Sequence, residues 1–282
     1  MLKRGGNTVA ELLVALTLAA IVLATATGSL LRQQRTESAL SASVAGESQA
    51  QAATLALSSG LAGLAPASGD LAQGEARDSS LQLRAVILTG FACADASGQV
   101  AVGGASVEDS TSASLSPAHV GDSLWWYAGA PAVWKARLVT HVASSAHCAN
   151  TGAHSAELLS IGGSDTIPRA APIRLTRQTR YVVYRGGDGT WQLGVREWSD
   201  AAARFASVEP VAGPFLRRTA SGSRTGFRYF DAGGLELPPD AGIDVARVAR
   251  IRVTVLRANF AVAAGRVQSD SVDVAVQGAL AP

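Results

Sequence analysis

Gly5 to Ala24 reads GGNTVAELLVALTLAAIVLA, and the apolar run continues to Leu31 with a single acid, Glu11, near its start. Residues 12–31 are twenty residues without a charge. At about 1.5 Å per residue a helix of that length spans about 30 Å, the thickness of a bilayer's hydrocarbon core. Lys3 and Arg4 precede the run, which favours a cytoplasmic N-terminus, while Arg32 and Arg35 follow it and weaken the asymmetry. A charge at the centre of a membrane helix costs about 2.5–3.5 kcal/mol on insertion scales, so Glu11 marks a functional position by default. A secretory signal explains neither feature, because its apolar region is shorter and a small-residue cleavage site follows it. A plain signal anchor fits the length but gives Glu11 no purpose.

These residues resemble the N-terminus of type IV prepilins, whose usual form is a basic leader, Gly, Phe, Thr, Leu, an apolar residue, Glu and a long apolar run. MLKRGG would be the leader, Gly6 the glycine before the cut and Asn7 the new N-terminus. Thr8 and Val9 match the next positions, and Glu11 is the fifth residue after the cut. Asn7 is the departure, since the family usually has Phe there. The resemblance implies cleavage by prepilin peptidase between Gly6 and Asn7, N-methylation of Asn7, and retention of the helix in the inner membrane. It also implies that Glu11 pairs with the terminal amine of a neighbouring subunit in a filament. A buried carboxylate is costly alone and tolerable when paired.

Beyond Arg32 the chain stays helix-friendly to Leu64, rich in Ala, Gln, Leu and Glu, with no proline before Pro66. Leu57, Leu61 and Leu64 at i, i+4 and i+7, with Leu40 and Val44 four apart, predict an intermittent apolar stripe that packs on a sheet. From about Ser68 the texture becomes short alternating runs split by Gly, Pro, Ser and Asp. Strands are expected at 81–89, 123–127, 134–142, 156–161, 173–184, 190–198, 226–230, 248–257 and 271–277. The clearest hairpin is RYVVYRGGDGTWQLGVREW, 180–198, with GGDG as its turn. In IRVTVLRANF, Ile251, Val253 and Val255 alternate with Arg250, Arg252 and Thr254, as one buried face of an antiparallel sheet requires. Residues 92–123, rich in Gly, Ser and Ala, read as a variable loop, and 208–214 as a linker.

The order hairpin, linker, FRYFDAGG, then VARIRVTVLRAN is similar to the C-terminal half of larger minor pilins and pseudopilins, the W-type of type IV pili and the J-type of type II secretion. The expected fold is therefore α+β and pilin-like: a leader at 1–6, a transmembrane or filament-core helix at 7–31, its continuation at 32–66, and a mainly antiparallel β-rich periplasmic head at 67–282. The implied function is a non-catalytic minor subunit that helps to initiate or cap a filament. Its partners would be prepilin peptidase, other minor pilins or pseudopilins and the inner membrane, with no cofactor.

Composition bounds the alternatives. The 282 residues are 48% apolar and 16% charged, enough for a core. The net charge of +2 is too small to argue for nucleic acid. Residues 1–168 hold 8 Lys and Arg against 12 Asp and Glu, a balance of −4, and 169–282 hold 16 against 10, +6. Cys93 and Cys148 are the two cysteines. They fit one disulfide in an oxidising compartment, which the N-terminus favours, or two free thiols.

Four constellations compete for a functional reading. Gly121-Asp122-Ser123-Leu124 matches the nucleophile block of one esterase family, but no Asp-x-x-His exists and the last histidine is His154. His141, His147, Cys148 and His154 cluster without a common zinc spacing. Asp231, Glu236, Asp240 and Asp244 lie in a Gly- and Pro-rich loop, where they hold calcium or are simply solvated. Arg169, Arg174, Arg177, Arg180 and Arg185 form a basic stretch with Tyr181 and Tyr184. It reads as a charge-protected edge strand, or as a DNA- or adhesion-ligand face of a tip subunit.

Overall fold

The computed structural model describes residues 9–61, 64, 69–92, 96–97, 99–103, 113–114, 117–129, 133–146, 156–217, 222–239, 242–258 and 267–275. Helix α1 runs unbroken from Val9–Leu61, 53 residues and about 80 Å. Its hydroxyls do not interrupt it, because they turn back on its own carbonyls: Thr17 Oγ1 donates to Val14 O at 2.9 Å and Thr27 Oγ1 to Leu23 O at 2.8 Å. That satisfies donors that would otherwise face hydrocarbon. The helix is long and apolar enough to cross a membrane.

Among the described residues the head has sixteen strands: β1 Ser80–Phe91, β2 Ala96–Ser97, β3 Gln99–Gly103, β4 Ala113–Ser114, β5 Ser123–Tyr127, β6 Trp134–Ala146, β7 Ala156–Ile161, β8 Thr166–Ile167, β9 Pro172–Arg185, β10 Trp191–Ser199, β11 Arg204–Phe205, β12 Glu209–Phe215, β13 Gly226–Phe230, β14 Glu236–Leu237, β15 Arg250–Ala258 and β16 Val267–Ala275. Ten form one sheet with the path β11-β10-β9-β5-β6-β7-β3, β1 lying along β9, β4 on β1 and β12 on β10. Four form a second sheet, β14-β13-β15-β16, and β2 pairs with β8. All the strand pairs are antiparallel. The β9–β10 hairpin closes at the expected GGDG, where Gly189 takes φ +82° and Asp188 accepts the Thr190 N–H at 3.0 Å.

Two cores lie in the head. One gathers Ala50, Ala53, Leu57 and Leu61 of the helix, with Leu64, against Leu81, Leu83, Tyr181, Val183, Phe215, Phe227, Tyr229, Ile251 and Val253. The other holds Leu88, Val100, Leu124, Trp126, Val139, Leu159, Ile173 and Leu175. The long strands β1 and β9 serve both.

Four expectations need correction. Leu40 and Val44 do not join the helix stripe: they are 57% and 69% exposed, and the head-facing side is made by Ala50, Ala53, Leu57 and Leu61 instead. Small residues there let the helix backbone approach the sheet. The segment read as a linker is strand β12, paired with β10. Pro210 and Pro214 argue against a central strand, and an edge position is where prolines are tolerated. The segment read as a variable loop contains β3, which pairs with β7 and buries Val100 completely. Finally, the Arg-rich strand β9 is no edge. It has β1 along one side and β5 and β10 sharing the other.

Candidate functional site: the bare helix and its attachment to the head

From Val9 to Ser38 every side chain described is exposed, and Glu11 stands in the first turn of this bare half with Leu12, Leu13 and Val14 beside it. The second half lies against β12, β1 and β16. Among the described residues, three polar contacts besides the apolar stripe hold it there. Gln49 Oε1 accepts the Gly213 N–H at 3.1 Å, so the helix satisfies a β12 donor. Arg257 of β15 donates through Nη2 to Glu47 at 2.9 Å, and its arm passes beside Gly46, where a Cβ would lie 3.4 Å from the Arg257 Cδ. Tyr181 Oη donates to Ala56 O at 3.2 Å. Gly60 admits the Tyr181 ring: an added Cβ would overlap Oη and lie 3.0 Å from Cζ. Burial, with Glu197 adding to it, pushes the Tyr181 hydroxyl up to about 12, so it remains a donor throughout the neutral range.

A second phenol ties the two sheets together. Tyr229 of β13 donates to Arg77 O at 2.9 Å, and burial, then the Asp78 charge, raises its pKa. Phe227 N donates to Asp78 O at 2.9 Å, and Asp78 also accepts Arg217 and Arg224. The segment before β1 thus clamps the C-terminal sheet.

The sequence-predicted positions fall as follows. Gly6 and Asn7 lie outside the described residues, as do Cys93, Cys148, His147, His154 and Asp240. Glu11 is exposed on α1. Ser123 begins β5, and the neighbouring Asp122 is committed elsewhere: its carboxylate takes Arg177 Nε at 2.8 Å, Nη2 at 2.9 Å and the His119 N–H at 2.7 Å. Burial works against the Arg177 charge, but the bond and charge of Asp122, then Glu197, outweigh it and raise its pKa. Arg177 sits on β9 between the two cores, 4% exposed, and Asp122 is 3% exposed.

The other β9 arginines are engaged as well. Arg174 makes a bidentate pair with Asp70 at 3.0 Å and lies over Trp125, 5.0 Å from the ring centre. Arg180 bonds Gln82 and pairs with Glu75 at 3.4 Å. The stretch that looks basic in one dimension is therefore answered by acids from distant segments. In the acidic loop that follows β13, Asp231 accepts the Leu235 N–H and pairs with Arg247, Asp244 caps the 3-10 turn at Val245–Arg247, and Glu236 pairs with Arg228. Among the described residues no group of three or more His, Cys, Asp or Glu side chains is placed to hold a metal.

Sequence reasoning missed the Gln49–Gly213, Glu47–Arg257 and Gly60–Tyr181 contacts. Their partners are more than a hundred residues apart, and no local pattern announces them. Comparison with known protein families, with curated proteins and with solved structures finds no match for this chain.

Proposed function

We propose that this chain is a non-catalytic minor pilin or minor pseudopilin, processed by prepilin peptidase, whose helix enters a type IV filament or its initiating complex while the head stands in the periplasm. The observation that carries this reading is a single 53-residue helix used in two ways. Its first half is bare from Val9 to Ser38 and carries no charge from Leu12 to Leu31, and its second half is buried against the head at Ala50, Ala53, Leu57 and Leu61. A soluble domain gains nothing from projecting about 30 Å of exposed apolar helix. A subunit that lies first in a bilayer and then among other helices requires it. In that setting Glu11 pairs with the α-amine that cleavage creates on a neighbouring subunit, and sets the stagger between helices.

The test is the intact mass of the chain after co-expression with a prepilin peptidase, measured without reductant. Loss of the six residues MLKRGG and gain of one methyl is the expected result. A full-length mass would return the chain to a plain signal anchor. The same spectrum reads the state of Cys93 and Cys148, because a disulfide removes two hydrogens.

A further inference from the structure

The exposed face of the C-terminal sheet carries a groove of about 670 Å³, lined by Arg224, Arg228, Arg252, Glu236 and a set of hydroxyls. Arg228 of β13 stands directly opposite Arg252 of β15. Like charges facing across a strand pair repel. Among the described residues the carboxylates lie on the outer sides: Glu236 of β14 holds Arg228 through Nε and Nη2, and Asp273 of β16 holds Arg252 through Nε and Nη2 at 2.6 and 2.7 Å. Arg228, Arg252 and Asp273 lie in one cross-strand row, and Glu236, opposite Phe230, reaches Arg228 diagonally. The bond to Glu236 raises the pKa of Arg228, and Arg252 works against it. Nη1 of each guanidinium carries no hydrogen bond among the described residues.

The two cations are held in place from below. Phe230 points to the same outer face yet is only 6% exposed, because Arg250, Arg252 and Arg228 lie 4.4, 5.2 and 5.7 Å from its ring centre. Stacking of this kind fixes guanidinium planes before a ligand arrives. An anion seated between Arg228 and Arg252 completes the row.

The remaining lining names the ligand class. Thr254, Ser269 and Ser271 supply hydroxyls, Glu236 supplies an acceptor, and among the described residues no apolar side chain lines the groove. That disfavours a lipid or an apolar peptide. A strongly acidic peptide would bring several carboxylates against Glu236 and Asp273. A molecule whose carboxylates are each set among several hydroxyls, one to a sugar ring, meets every group with its complement. The volume lies in the range usual for small-ligand sites, about 300–1,000 Å³.

We propose that this groove binds an acidic sugar, with its carboxylate shared by Arg228 and Arg252 and its hydroxyls taken by Thr254, Ser269, Ser271 and Glu236. The site does not depend on the filament reading. The test is calorimetric titration of the full chain in detergent micelles, in low salt, with trigalacturonate. Maltotriose, which has the size but no carboxylate, and a hexa-aspartate peptide serve as rivals. Saturable binding of trigalacturonate is expected, with both rivals weaker by about ten-fold or more. Arg252→Gln should weaken it by a similar factor. Ser271→Asp, which leaves every ion pair in place and adds a carboxylate to the groove, should do the same. Absence of trigalacturonate binding overturns the proposal. So does equal binding of maltotriose, tighter binding of hexa-aspartate, or unchanged affinity in Ser271→Asp.

Discussion

Gly60→Ala opposes two physical effects at one position. Helix propensity alone makes the change favourable, by less than the helix-interior figure of about 1 kcal/mol, because Gly60 is the last residue but one of the helix. The tertiary contact argues the other way. A methyl at Gly60 would overlap Tyr181 Oη and lie 3.0 Å from Cζ and 3.2 Å from Cε2. Tyr181 is 6% exposed, so its ring has little room to yield. Overpacking of this kind costs about 1–3 kcal/mol. Displacing the hydroxyl from Ala56 O loses a hydrogen bond worth about 1 kcal/mol. The net expectation is a destabilisation of about 1–3 kcal/mol, or a fall in Tm of roughly 2–12 °C for a head of this size. Thermal unfolding of the full chain in detergent, followed by near-UV circular dichroism, reads it. The double variant Gly60→Ala/Tyr181→Phe should recover part of the loss, because removing the hydroxyl removes the worst overlap. A rise in Tm for Gly60→Ala alone would show that the helix does not sit against β9 as described.

Two further outcomes follow from the buried charges and the C-terminal sheet. Asp122→Asn leaves the Arg177 guanidinium without its main partner at a site where both are almost fully buried, and should cost about 3–5 kcal/mol in urea unfolding. Glu197→Gln, at a side chain 51% exposed, should cost less than about 1 kcal/mol, and equal effects of the two changes would refute this ranking. The Glu236 and Asp273 carboxyls lie below their ordinary values because of the bonds to Arg228 and Arg252. A depressed folded pKa adds stability that is complete above the unfolded carboxylate range, about pH 4–5, and is lost as pH falls through the folded values. Asp273→Asn should therefore flatten the fall in Tm between pH 5 and pH 2.5, and an unchanged slope would contradict the pairing.

Local pattern carried far in the head. The runs at 123–127, 156–161 and 226–230 are strands at those bounds, because alternation and turn residues are properties of a few neighbouring positions. Ile251, Val253 and Val255 face the core as the alternation requires. Pattern failed where a neighbour decides. Pro210 and Pro214 hide β12, which exists because β10 offers a partner edge and Gln49 satisfies the Gly213 N–H. Five arginines in seventeen residues look like an exposed face or a charged edge. Three of them answer Asp70, Asp122, Glu197 and Glu75, acids that the chain supplies from elsewhere. Leu40 and Val44 show the same limit on the helix: the spacing is right, but no sheet stands under that side.

The sequence by itself determined the long apolar helix with Glu11 in its first turns, the α+β class, the hairpin at 180–198 and most of the strands. Each depends on periodicity or turn chemistry within a few residues. Only the tertiary structure decided which helix face meets the head, that β9 lies inside a sheet, and that Arg228 and Arg252 stand side by side between Glu236 and Asp273. Those facts depend on which strands become neighbours. That choice is made by burial of whole faces and by pairing of charges far apart in the chain, which no window of sequence contains.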